Sequence, residues 1–515
     1  MPDIRSEAAR PGRVYPWYVL AVLVLVYVLN FIDRQIVVIL AERIKADLKV
    51  TDAQLGFLYG TVFAVFFAVF AIPLGRLADA WDRRRLIAWG TAFWSLMTAL
   101  SGLARGFGPL ALARLGVGAG EASAAPAAYS LLSDWFPRER RGAVLGIFSS
   151  GIFIGAGLGL GIGGLIVDRW DAAFPAAAAP LGLRGWQAAF LVVGLPGLAL
   201  ALWVRTLKEP PRGGFGLATS SGPVAREPHP FRLLLRELAA VVPPFTLVTL
   251  ARDGAGRQGL AINVGAAAAL TAAAAMLTRL LGTAPQWIAL AVGLYSVFSW
   301  AQGLRLKSRE DFDLVFRNPP LVLSNIGIGL VTFGTYSTSL WIAPFFLRVH
   351  HLEIARVGLL LGGMLAAGGW LGATSGGLLA DAWHRRSPRG RLYVSVLTAA
   401  LALPLGFIFL NLRSSTAALL LSFPVAILTG LWIGPAASTV QELVPPRLRA
   451  TASAVYILHT TFLGLALGPY TVGRLSVFTG DLKSAMLLAL PVQAAAAVLL
   501  FLAARRIPRR DTFSP

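Results

Sequence analysis

Gly75-Arg-Leu-Ala-Asp79-Ala-Trp-Asp-Arg83-Arg84 follows a long apolar run, and at 377–386 the chain returns to it as Gly377-Leu-Leu-Ala-Asp381-Ala-Trp-His-Arg385-Arg386, again behind an apolar run. A Gly-x-Leu-Ala-Asp-Ala-Trp-x-Arg-Arg repeat is a poor candidate for coincidence. It divides the chain into two related halves, each with a charged turn at the same place between apolar segments. The correspondence continues outward. Pro137-Arg138-Glu-Arg140 matches Pro446-Arg447-Leu-Arg449, and Pro126 matches Pro435 at the same offset.

The surroundings of the repeat fix the class. The chain has 515 residues, 56% of them hydrophobic and 14% charged. Apolar runs long enough to cross a bilayer recur throughout, with Gly and Pro tolerated inside them. The expected fold is therefore an all-α polytopic membrane protein. The first run, from Trp17 to Leu40, is too long for a signal-peptide core and reads as the first span. Parallel repeats of membrane helices are the mark of secondary carriers. The net charge of +21 points to topology and not to nucleic acid, because the basic residues gather in alternate connections and at both ends. By the positive-inside rule, both termini are expected in the cytoplasm of a cell inner or plasma membrane, with anionic lipid contact as an accompaniment. Without cysteine there is no disulfide, thiolate metal site or Cys nucleophile. The five histidines show no metal-ligand spacing, so no metal and no cofactor are expected, and a proton is the expected coupling ion.

The pattern predicts a cytoplasmic N-terminus over 1–15 and a first six-helix bundle over 16–207. Its spans fall near 16–40, 53–75, 86–105, 109–132, 142–167 and 187–206. A central linker, 208–318, begins with a polar stretch at 208–230. An amphipathic interfacial helix is predicted at 229–242, ending at Pro243-Pro244. A transmembrane hairpin follows at about 259–304, in two spans at 259–281 and 285–304. A second bundle occupies 319–504, with spans near 319–347, 355–380, 391–411, 416–439, 450–474 and 482–504. A cytoplasmic tail covers 505–515. The total is about 14 spans, and the even insert preserves the topology of the second half.

The paired loops at 75–85 and 377–386 resemble the hallmark loops of the major facilitator superfamily. Asn30-Phe31-Ile-Asp33-Arg34 and Arg114-Leu-Gly-Val-Gly118-Ala-Gly120-Glu121 resemble the Spinster-type branch of sphingolipid and lysophospholipid carriers. The resemblance covers the chain except 208–318. The inserted hairpin departs from the usual twelve-helix pattern and resembles the extra pair of some peptide transporters, with no motif that carries a role over. The resemblance implies two pseudo-symmetric six-helix bundles rocking around a central cavity. It also implies that Gly75, Asp79 and Arg83, with Gly377, Asp381 and Arg385, form cytoplasmic gate motifs. Asp79 would lie near the start of the span at 450–474, Arg83 would help close the gate, and Asp381 and Arg385 would lie near the span at 142–167.

Charges at membrane depth are costly and default to functional candidates. Asn30, Asp33 and Arg34 share one helix face by their i, i+3, i+4 spacing, and Arg114, Gly118 and Glu121 share another. At ~1.5 Å per residue, Asp33 and Arg114 both lie roughly 8–10 Å below the outer ends of their helices. That depth match predicts an Asp33–Arg114 pair. Glu121 is then left near the midplane, with only Arg34 able to reach toward it. Glu121, coupled to Asp33 and Arg34, is the expected proton-linked switch; a static salt-bridge cluster fixing the two helices is the competing reading. Expected cavity groups are Asn30, Phe31, Thr335, Tyr336, Ser339, Trp341, Gln441, Tyr456 and His459. Phe31, Phe63, Phe148, Phe333 and Phe345 would suit an amphiphile, though such residues also serve as core or lipid-facing surface. The glycines of 142–164 would let that helix approach a neighbour closely, with or without sliding.

No phosphate-binding loop, His-Glu-x-x-His or Gly-x-Ser-x-Gly motif is present, so no enzyme is expected. The expected activity is secondary active transport of a small organic or lipid-like amphiphile, proton-coupled, by a monomer that contacts membrane lipids. A facilitated uniporter, a hexuronate-type organic-anion symporter and a non-transporting receptor on the same scaffold are the alternatives.

Overall fold

The computed structural model describes residues 14–174, 179–210 and 229–507. Residues 1–13, most of the polar stretch at 208–230 and the tail from 508 lie outside the described residues. Within them the chain is helical throughout. The first bundle comprises α1 (Tyr15–Leu48), α2 (Asp52–Ala80), α3 (Arg83–Ser101), α4 in two segments (Phe107–Glu121 and Ala124–Trp135), α5 (Arg138–Ala173) and α6 (Gly185–Arg205). The insert comprises α7 (Pro230–Ala239), α8 (Phe245–Arg252), α9 (Gly256–Leu281), α10 (Ala284–Lys307) and α11 (Arg309–Phe316). The second bundle comprises α12 (Pro319–Val349), α13 (Ile354–Arg386), α14 (Gly390–Asn411), α15 (Ser415–Glu442), α16 (Arg449–Thr479) and α17 (Leu482–Arg505).

Among the described residues, twelve of these helices are long and apolar enough to cross a membrane. The two that fall short, α3 and α4, fill the remaining places in the first bundle. The start of α3 carries three consecutive arginines, and α4 is interrupted by a turn at 122–123. Pro126 accounts for that turn, since it has no N–H to offer the carbonyl of Ala122. The repeat-related Pro435 interrupts α15 at Trp432 in the same way. The duplication is thus visible in backbone geometry as well as in sequence.

The bundles pack by matching rules. α1 lies against α5, and α12 against α16. α3 lies against α6, and α14 against α17. Between apolar helices in lipid there is little hydrophobic drive, so close approach at small residues carries the association. A Cβ at Gly155 would sit 2.3 Å from the carbonyl oxygen of Val28, and one at Gly372 would sit 2.0 Å from that of Ile427. The α1–α5 and α13–α15 pairs need glycine at these crossings.

Glycines also seat one bundle on the other. A Cβ at Gly60 would lie 2.4 Å from the oxygen of Leu465, and one at Gly157 would lie 2.4 Å from that of Gly362. These contacts, with those at Gly56, Gly164, Gly358 and Gly473, lie in the half of the molecule away from the Arg-rich loops. Both helices of the α2–α16 crossing contain a π turn, at Phe57–Thr61 and Thr460–Ala466.

Candidate functional site: a cavity between the bundles

The two bundles enclose a cavity of about 320 Å³ on the basic side of their glycine contacts, lined from α1, α2, α4 and α5 and from α12, α13, α15 and α16. Its walls are mostly apolar, with Phe31, Phe63, Phe153, Met364, Val425 and Leu465 among them. The second-bundle wall carries the polar Thr335, Tyr336, Ser339, Ser422 and Thr429, and the first-bundle wall carries Gln35, Tyr59, Arg114 and Arg34.

Arg34 is the centre of this wall. Its Nε donates to Glu121 Oε2 at 2.6 Å. Its guanidinium lies over the rings of Phe63, Phe31 and Phe67, at 4.3, 4.9 and 5.1 Å from their centroids. The aromatic faces stabilise the cation by their quadrupoles while leaving part of it open to the cavity. Glu121 ends the first segment of α4, just before the proline-induced break, and its second oxygen Oε1 has no hydrogen-bond partner. Asn30 is buried beside it and does not reach the cavity.

Asp33 differs from expectation. Its carboxylate is wholly buried, and neither oxygen has a hydrogen bond; Trp94 and Thr98 flank it without reaching bonding geometry. Arg114 does not pair with that carboxylate. Its Nη1 donates to the backbone carbonyl of Asp33 at 3.2 Å. The predicted Asp33–Arg114 ion pair is therefore replaced by an Arg34–Glu121 pair. The reason is angular: neighbours on a helix point about 100° apart. Arg34 is turned to the cavity and α4, and Asp33 is turned to α3. Depth along the axis alone could not separate them.

Across the cavity, Gln35 Nε2 donates to Ser339 Oγ at 2.9 Å, and the Tyr59 hydroxyl lies 3.3 Å from both the Gln35 and Ser339 side chains. This bridge joins α1 and α2 to α12. Tyr336, Ser339 and Tyr456 line the cavity, as do Phe31, Phe63 and Thr335. Trp341 does not. It is fully buried, and its indole donates to the carbonyl of Pro469 at 2.9 Å, so it packs α12 on α16. His459 is also absent from the lining; its Nδ1 lies 2.8 Å from the carbonyl of Val455 in its own helix. Gln441 is exposed away from the cavity. Phe148 stacks on Tyr27, and Phe345 packs with Phe346 and Phe409 as core. Gln35, Tyr59 and Thr429, which sequence reading missed, carry one available signal: a polar side chain inside an apolar run.

The charged turns stay within their own halves in this conformation. Arg83 is buried and paired with Asp134 at 2.5 Å and with Glu209 at 2.7 Å. Asp79 is exposed and has no ion pair among the described residues. Asp381 and Glu442 both bind Arg391, while Arg385 is exposed. Gly75 and Gly377 have open space around them. The ion pairs that join the bundles lie at the opposite end. There Arg348 of α12 binds Glu42 at 2.6 Å and Asp52 at 2.6 Å. Lys45 and Ser476 complete the shell of Asp52, each at 2.7 Å.

Two related helix bundles around a cavity that draws on both define a polytopic carrier of the alternating-access kind. The Major Facilitator Superfamily model matches residues 23–469, and the chain belongs to that family. It is 27% identical over 514 residues to an MFS-type efflux pump of Mycolicibacterium smegmatis, covering 98% of this chain and 96% of that one. It is 26% identical over 493 residues to human protein spinster homolog 1, covering 92% of this chain and 75% of the relative. Among solved structures, a bacterial homolog of the human lysosomal transporter Spinster, inward-facing and unoccupied, superposes with a TM-score of 0.72 at 25% identity, over 96% of this chain and 98% of that one. The protein is a membrane transporter of that superfamily, and it is similar to Spinster proteins.

Proposed function

We propose that this chain is a proton-coupled carrier of an amphiphile with an anionic headgroup, oriented with its basic end in the cytoplasm. The observation that carries the proposal is the division of labour at α1. Arg34 lines a mostly apolar cavity together with Arg114, Gln35, Tyr59, Tyr336 and Ser339, while the adjacent Asp33 carboxylate is sealed away from it with no hydrogen bond to either oxygen. An ionised carboxylate so placed is costly, and a proton relieves that cost. A proton on Asp33 changes the field at the Arg34–Glu121 pair next to it. Arg34 is then available to an anion in the cavity, and apolar walls such as Phe153, Met364 and Val425 suit an acyl or ring system.

The orientation rests on the distribution of arginines, and it makes the present conformation inward-open. Transport in reconstituted liposomes tests the reading. A lysophosphatidylglycerol probe should accumulate under an imposed pH gradient and fail to do so with Asp33→Asn. Gradient-independent but saturable flux would leave a uniporter. Binding without flux would leave a receptor. The hexuronate-type alternative draws support from a match of 29% over 175 residues to a probable L-galactonate transporter of Escherichia coli, which covers 35% of that protein. Galactonate belongs in the same assay as a competitor.

A further inference from the structure

The two-bundle carrier has two lateral seams, one between α2 and α16 and one between α5 and α13. Rocking opens both toward the bilayer at the end where the cavity opens. In this chain the insert treats them unequally.

α10 lies along the α2–α16 seam and touches both sides of it. At its start, the buried Gln286 accepts from Thr61 Oγ1 of α2 at 2.5 Å, and the same hydroxyl lies 2.8 Å from the carbonyl of Ala466 in α16. The adjacent Trp287 meets Tyr470 of α16 edge-on at 5.4 Å. One turn and a half further on, Gly293 admits the ring of Phe462 of α16, and a Cβ there would sit 2.5 Å from that ring and 3.2 Å from Val65 of α2. Below it Ser296, Val297 and Trp300 close against Ala68, Val69 and Ile72 of α2 and against Leu458, leaving a void of only about 10 Å³. At the basic end Val315 of α11 is buried with Ala452 and Val455 of α16, with Trp300 and Phe316 packed on the same cluster. Ion pairs pin this cover to each half: Arg76 with Glu237 of α7 at 2.9 Å, and Arg447 with Glu310 of α11 at 2.7 Å.

Among the described residues, the α5–α13 seam has no such cover. Its close contacts run from Gly164 with Ile354 to Phe153 with Gly369. On the basic side of these, a Cβ at Gly142 or Gly146 would meet nothing within 4 Å. The hairpin cover is held by its own polar network, in which Asn263 of α9 binds Ser299 and Gln302 and accepts from Tyr295. Buried in lipid-facing helices, a satisfied network of this kind fixes the pair as one unit.

We propose that the inserted hairpin seals one lateral seam, so that an amphiphile resident in the bilayer reaches the cavity only between α5 and α13 at the basic end. The inference rests on the amphiphile reading above. The test is photo-crosslinking of the intact protein in phosphatidylglycerol vesicles, with a lysophosphatidylglycerol that carries a diazirine in its acyl chain. Labelled residues are mapped by mass spectrometry. Label is expected on the cavity wall and on the seam-facing residues of 142–153, and at least ten times less on Leu458, Phe462 and Val455. Gly293→Leu, whose side chain meets the Phe462 ring, should lift the cover and raise the label on 455–462 several-fold. Gln286→Ala, which removes an anchor without adding bulk, should do the same more weakly. Label on Leu458 and Phe462 of the unaltered protein equal to that on 142–153 overturns the one-sided entrance. A cavity left unlabelled by either route counts instead against the amphiphile reading.

Discussion

At the residue scale, two adjacent side chains divide the work by which of them faces the cavity. Arg34, held by Glu121 at 2.6 Å and by three aromatic rings, is fitted to receive an anion. Asp33, buried and unpartnered, is fitted to receive a proton. Asp33→Asn should therefore abolish dependence of uptake on the pH gradient while leaving substrate binding by calorimetry within about threefold, or ~0.7 kcal/mol. Arg34→Lys keeps the charge but loses the planar stacking and fixed donor geometry, and should weaken binding of an anionic probe about tenfold, or ~1.4 kcal/mol. All four intramembrane charges were legible in the sequence because charge stands out against an apolar run. Arg34 reaching toward Glu121 was legible too, but the Asp33–Arg114 pairing was misread. Rise per residue gives depth, but the pairing was decided by azimuth, which depends on how α1 is rotated against α3 and α4. Trp341 and His459 illustrate the same gap: each lies at a suitable height, yet faces a helix and not the cavity.

At the element scale, the helices follow their sequence signals closely, and the departures have local causes. α1 runs on to Leu48 and α5 to Ala173, well past their apolar stretches, because polar end turns stay helical outside the lipid core. The short helices α8 and α11 went unread, being too brief for a periodicity to register. The π turns at 57–61 and 460–466 leave no signature in composition. They sit where Gly60 lets α2 approach the backbone of α16. Gly60→Val should force that crossing apart. It should cost about 1–3 kcal/mol of stability by overpacking, read as a lower melting temperature in detergent. Labelling of a cysteine introduced at Ser339 should also rise from the end that carries Arg348. The native chain contributes no cysteine background to that measurement.

At the scale of the whole molecule, the repeated turns announced two halves, and the structure shows how the halves meet. In the present conformation they are joined at one end by glycine crossings and by Arg348 with Glu42 and Asp52. At the other end, Arg83 pairs within its own side of the molecule and Arg385 is exposed. The clamp at Arg348 was not legible, because Glu42 to Asp52 reads as a balanced connection and its partner lies some three hundred residues away. Removing Arg348 strips two carboxylates of their main cation. Arg348→Ala should cost about 1–3 kcal/mol and shift spin-label distances between α2 and α16 toward a state open at that end. Proton coupling is decided by simultaneous recording of substrate and proton movement in liposomes containing the purified chain. With Asp33 as the coupling site, a downhill gradient of an anionic lysolipid drives proton movement in the unaltered protein and none in Asp33→Asn. Saturable substrate flux with no accompanying proton movement in the unaltered protein would contradict that coupling.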